Sequence, residues 1–200
     1  MNLYQPPYCL SPWTPQLTGL NTEAAIVLAW QKLHAEDLYK VVFHENPAMP
    51  LAQFVFFFSQ QTVALQLCLD MREENEPRLA GMVWLADITD LSTHRRATGS
   101  FVFFKDYQTP RWTTQFARMT LDYWFMDLNV GLLIGVTPEP NRAARAFSVR
   151  NLKVNYSFTL PQYTTYDGKR ADAKVIVLTK EKYLLDRQRA VALQEVKAEV

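Results

Sequence analysis

The densest reactive feature of this 200-residue chain is a run of cations. Arg142, Arg145, Arg150 and Lys153 fall within twelve residues that contain no acid. Arg142 and Arg145 stand at i, i+3, a spacing that puts two guanidiniums on one helical face. Such groups bind phosphates or carboxylates, and the same spacing equally suits a solvated basic face. Asn141, just ahead of them, is a preferred helix N-cap residue. Histidines offer less: His34 sits in a helical pattern, His44 before a proline break and His94 in a basic turn, and none shows metal-ligand spacing. Surface or partly packed roles suit them better. Cys9 and Cys68 lack C-x-x-C spacing, so they imply neither a metal site nor a disulfide framework. The hydrolase elbow Gly-x-Ser-x-Gly, the Walker loop and the zinc motif His-Glu-x-x-His are all absent.

Composition narrows the field. Hydrophobic residues make up 48% and charged residues 20%, which excludes wholesale disorder. A net charge of +1 provides no global field for nucleic acid or a membrane surface. No stretch reaches the roughly 18 apolar residues of a membrane span, and residues 1–20 lack the basic start of a signal peptide. The expected setting is intracellular and soluble. There are only 6 glycines, where average usage gives about 14. Glycine lets backbone approach a phosphate closely, so this shortage weighs against nucleotide-type cofactors.

Around these residues the chain reads as one domain of 22–183 with an extended Pro-rich arm at 1–21 and a helical extension at 184–200. The arm is uncharged and carries Tyr4, Tyr8 and Trp13. It packs either on its own domain or on an assembly partner. Residues 22–43 are expected to be helical, capped near Thr22, with Ile26, Ala29, Trp30 and Leu33 at helical spacing. Leu51 to Gln61 reads as a helix with Phe54, Phe57 and Phe58 on one face, although the Phe-Val-Phe-Phe-Phe run also suits a strand. Strands are expected at 62–71, 79–88 and 97–104, with a charged turn at 72–77 between the first two. A helix over 113–128, a buried-type strand at 130–136 and a helix over 141–151 follow. Asp167-Gly168 between two strand-like runs is a hairpin signal, and an amphipathic helix covers 180–199. This order gives an α+β fold with a mixed sheet.

Several strings in that order resemble the GNAT acetyltransferase superfamily, in the branch similar to ribosomal-protein N-terminal acetyltransferases. They are Tyr107-Gln108-Thr109-Pro110-Arg111-Trp112-Thr113-Thr114-Gln115-Phe116, then Thr120-Leu121-Asp122-Tyr123-Trp124-Phe125, then Val136-Thr137-Pro138-Glu139-Pro140-Asn141. The resemblance covers about residues 22–183. It implies a mostly antiparallel central sheet flanked by helices, and acetyl-CoA as the acetyl donor to a protein or small-molecule amine.

By the same resemblance, Val102, Phe103, Gln108, Arg111, Thr113 and Thr114 would hold the cofactor. Asn141 would contact cofactor or substrate, or act as a helix cap. Ser148 lies near where other members place a tyrosine that protonates the departing thiolate, or is a plain helical serine. Glu139 is the nearest matching carboxylate, and a loop role suits it equally. The family's phosphate loop carries glycines where Arg111 and Thr113 stand here, and Pro110 removes an N–H. Arg111 either blocks that loop or reaches the phosphates through its guanidinium. Two functional expectations follow: an acetyltransferase, or a catalytically inactive structural or binding subunit of a multisubunit complex or viral particle.

Overall fold

The computed structural model describes residues 3–5, 7–13, 22–46, 48–73, 77–152 and 154–198. Strand β1 (Leu3–Gln5) turns into β2 (Tyr8–Trp13), and β2 pairs antiparallel with β3 (Ala64–Asp70), Tyr8 opposite Asp70 and Trp13 opposite Leu65. The expected arm is therefore a strand of the domain's own sheet. Tyr8 is not available to a partner, because its ring packs edge-on against Trp112 (4.7 Å) and Phe116 (5.5 Å). Residues 14–21, Lys153, part of the 72–77 turn and the side chains of Tyr4 and Trp13 lie outside the described residues.

Helices α1 (Thr22–Ala35), α2 (Tyr39–Val42) and α3 (Leu51–Phe58) follow β2. Ile26, Ala29 and Leu33 are fully buried, as their spacing predicts. The phenylalanine run is helical: Phe54 and Phe58 are buried while Phe56 is 69% exposed, the asymmetry of a period near 3.6 rather than 2. In the centre, β3 and β4 (Arg78–Asp90) form an antiparallel pair whose apolar runs are covered on both faces. β5 (Arg95–Phe103) pairs antiparallel with β4 and leads through a 3-10 turn at Lys105–Tyr107 into α4 (Pro110–Asp122).

The expected helix over 113–128 differs at both ends. It opens earlier, on Pro110, whose missing N–H is one of the four that a helix start leaves unbonded in any case. It closes in a wide π turn, Tyr123–Asp127, in which Trp124 and Phe125 are both fully buried. The indole of Trp124 donates to Gln66 Oε1 at 2.8 Å, which satisfies a polar side chain deep in the core.

The chain then forms β6 (Val130–Pro138), α5 (Arg142–Asn151), the hairpin of β7 (Tyr156–Tyr166) and β8 (Lys169–Thr179), and α6 (Lys180–Ala198). Asp167 and Gly168 both have positive φ, +51° and +72°, as the expected two-residue hairpin turn requires. Sheet order is β1-β2-β3-β4-β5-β6-β8-β7, and only β5 and β6 run parallel. α6 is pinned by Tyr183, which stacks on Phe125 and donates to Asp122 Oδ1 at 2.7 Å. Burial and that bond push the Tyr183 phenol well above its usual range. No helix among the described residues is long and apolar enough to cross a membrane.

Candidate functional site

The parallel pair makes the site. β5 and β6 are bonded to each other only from Arg95–Thr98 to Val130–Ile134. Beyond that point β5 stays with β4 as far as Phe103, and β6 stays with β8 as far as Pro138. The two strands diverge, and their facing edges carry backbone amides and carbonyls with no ladder partner. Unpaired backbone inside a domain calls for another partner.

A cavity of about 530 Å³ occupies this divergence. Register shows that it is walled from both sides of the sheet. Ser100 sits opposite Trp84, on the face where Trp84 stacks with Phe43 of the α2–α3 connection at 5.7 Å. Phe101 and Phe103 project the other way, to Phe147 of α5 at 5.1 and 5.9 Å. Residues from both sets line the cavity, together with Val42 and His44 on one side and Gln108, Thr113 and Ser148 on the other. Gly99, at the mouth of the divergence, has no room for a side chain: a Cβ there would lie 2.7 Å from Leu133 Cδ1 and 2.9 Å from the Trp124 ring.

The start of α4 borders the cavity and is braced from below. Asp70, 2% exposed, accepts hydrogen bonds from the Arg72 amide (3.0 Å), the Arg72 guanidinium and the Tyr107 hydroxyl (3.0 Å). Burial alone would raise the Asp70 carboxyl, but the hydrogen bonds from Arg72 and Tyr107 outweigh it and hold it below the ordinary range. Burial, then the bond to Asp70, raises the Tyr107 phenol. Arg72 lies 5.1 Å over the Trp112 ring, so this cluster fixes the first turn of α4. Among the described residues no group of three or more His, Cys, Asp or Glu is arranged to hold a metal.

No family model matches the chain, and no curated protein does. Solved structures match over most of its length. The spermidine N-acetyltransferase from Vibrio cholerae, in complex with CoA and spermine, is 16% identical with a TM-score of 0.69, covering 88% of this chain and 98% of that one. A mutant form of the spermidine/spermine N-acetyltransferase from the same organism gives 0.70 at 15% identity, covering 92% and 99%. The ribosomal-protein-S5-alanine acetyltransferase from Vibrio fischeri gives 0.67 at 13%, covering 90% and 97%. The chain has the GNAT acetyltransferase fold. The mixed, mostly antiparallel sheet expected from the sequence is what the structure contains.

Of the eight residues that the GNAT resemblance singles out, Val102, Phe103, Gln108, Thr113, Asn141 and Ser148 line the cavity, while Arg111 and Thr114 do not. Arg111 turns away from the loop: its Nε donates to Tyr8 Oη at 3.3 Å. Thr114 reaches across to Asn151 Oδ1 of α5 at 2.9 Å. Gln108 donates to the Phe103 carbonyl at 2.8 Å, at the end of β5. Asn141 is the N-cap of α5, its Oδ1 accepting from the Ala144 amide at 3.1 Å. The Ser148 hydroxyl donates to the Ala144 carbonyl at 2.9 Å. Glu139 is exposed in the turn after β6, outside the cavity wall.

Among the wall residues that sequence reasoning missed are His44, Trp84 and Tyr166. They come from the α2–α3 connection, β4 and the end of β7, and only the closed sheet brings them together. His44 Nδ1 is buried and has no hydrogen-bond partner. Its position before a proline break was the one available signal, since loops carry functional groups more often than their length suggests.

Proposed function

We propose that this protein is an acetyl-CoA-dependent N-acetyltransferase. The observation that carries the reading is the cavity between the diverging β5 and β6, open to groups from both faces of the sheet. Such a passage lets donor and acceptor meet from opposite sides, which is how an enzyme turns a two-molecule reaction into an oriented one.

The residues fit the donor. The unpaired edges of β5 around Val102 and Phe103 suit an amide-bearing arm, which they would meet as an extra strand would. The α4 start offers the Arg111 and Trp112 amides and the positive helix end to a diphosphate. Pro110 gives no N–H there. The Arg111 guanidinium is bonded to Tyr8 through Nε and stands outside the cavity wall. Acetyl-CoA would supply an activated acetyl group, transferred as the amine nitrogen bonds to the carbonyl carbon, the C–S bond breaks, and a proton passes from amine to thiolate overall.

The chain's own residues manage the protons and the fit. His44 is the imidazole of the cavity wall, placed to take the proton of the incoming amine. Ser148 keeps its oxygen lone pairs while donating to Ala144, so it can pass a proton to the sulfur by rotating its hydroxyl. Phe101, Phe103 and Phe147 exclude water on the donor side.

Calorimetric titration of the full-length protein with acetyl-CoA tests the reading. A micromolar dissociation constant, about 8 kcal/mol of binding, is expected. Absence of binding at millimolar acetyl-CoA would overturn it and leave the inactive binding subunit, which the loss of both loop glycines favours.

A further inference from the structure

The acetyl acceptor can be narrowed from the charges in the cavity wall. Among the described residues lining it, the ionisable side chains are His44, Arg142, Arg150 and Tyr166, with no aspartate or glutamate. Three carboxylates of the segment around α2 lie outside the wall and face other groups. Glu36 accepts from the Lys105 amide (2.7 Å), Asp37 pairs with Lys40 (3.2 Å), and Glu45 accepts from the Thr164 hydroxyl (3.4 Å). The face of the cavity away from α4 is mostly apolar: Leu38, Val41, Val42 and Trp84, with His44 and Ser100 beside them, and Tyr166 also lines the wall.

We infer that the acceptor is a primary amine on an uncharged, apolar or aromatic body, and not a polyamine. The inference rests on the acetyltransferase reading and specifies its substrate class. A polyamine carries several ammonium groups. Once one of them reaches the acetyl group, the others must give up water inside the cavity, and nothing in the wall offers them a countercharge. Arg142 and Arg150 would repel them further. An amine with a single ionisable nitrogen loses its proton on entry and leaves only apolar surface against Trp84 and the α2 valines. Such surface gains from leaving water. The solved neighbour that holds spermine therefore shares this chain's fold without indicating its acceptor.

The test uses the full-length protein with saturating acetyl-CoA and follows release of the CoA thiol. Three acceptors are compared: 2-phenylethylamine, the dipeptide amide Ala-Phe-NH2, and spermidine. At least one of the two uncharged-body amines is expected to exceed spermidine in kcat/KM by about 100-fold, the cost of two uncompensated charges at roughly 10-fold each. Which of the two is preferred separates a small-molecule amine from a peptide N-terminus. Arg142→Glu, an exposed position that leaves the core intact, should narrow the gap to spermidine by about 10-fold. Spermidine equal to or better than both, or no turnover of either uncharged-body amine while acetyl-CoA binds normally, would overturn the inference. Failure of acetyl-CoA to bind would instead remove the reading beneath it, and calorimetry distinguishes the two results.

Discussion

Replacing Asp70 by asparagine should uncouple the base of α4 from the sheet. The carboxylate is 2% exposed and accepts from a buried hydroxyl, Tyr107 Oη, at 3.0 Å. A hydrogen bond to a charged group contributes about 1.5–3 kcal/mol, and leaving the buried hydroxyl with a poorer acceptor forfeits most of that. Arg72 is 58% exposed, so solvent screens its ion pair and its contribution is the smaller one. The Asp70→Asn variant should therefore lose about 2 kcal/mol, which for a chain of this size lowers Tm by roughly 4–8 °C. Urea titration at neutral pH measures it, with Arg72→Met as the control expected to lose less. The sign of the pH dependence follows from the depressed carboxyl. Asp70 contributes stability that is complete above its unfolded value of 3.8 and is lost as pH falls through the lower folded value. Wild type and variant should converge as pH falls below 3.8 and stand fully separated above it. A variant within about 0.5 kcal/mol of wild type at pH 7, or a gap that widens as pH falls, would refute the reasoning.

Three other outcomes are expected. His44→Ala should lower kcat about 100-fold, the worth of a positioned proton acceptor, with the acetyl-CoA dissociation constant unchanged by calorimetry; equal loss in both would place His44 in cofactor binding. Gly99→Ala should cost about 1–3 kcal/mol by thermal melt, since its Cβ meets Leu133 and Trp124 inside contact distance. Deleting residues 1–13 removes buried Leu10 and leaves β3 an unpaired edge, so the protein should aggregate or lose its cooperative transition; a soluble monomer melting within a few degrees of wild type would contradict this.

Most elements were legible from the chain because each obeys a local rule. The Phe54–Phe58 run declares its helix by which phenylalanine is left exposed, and Asp167-Gly168 declares its turn by tolerating positive φ. Asn141 reads as a cap and is one. The opening segment was less legible: its prolines and lack of charge describe an extended chain equally well in a sheet or on a partner, and only the pairing of Tyr8–Trp13 with β3 decides. The candidate site was half legible. Positions adjacent in sequence to the α4 start and to α5 were found, whereas His44, Trp84 and Tyr166 converge from separate elements, and no spacing rule links them. Side-chain direction was also beyond reach. Arg111 is at the helix start as expected, yet the guanidinium turns to Tyr8, a residue 103 positions away.

The pairing of β2 with β3 also imposes an order of events during synthesis. Cys9 faces Leu69, so the first strand emerges about 60 residues ahead of the strand that completes it, a delay of roughly 3–12 s at ordinary elongation rates. Through that interval Tyr8–Trp13 is an uncharged, strand-prone segment with no gatekeeping charge within it. The segment that completes the core of the finished protein is thus the one whose inner edge waits longest for its neighbour, and a chaperone acting early on this chain would find its target there.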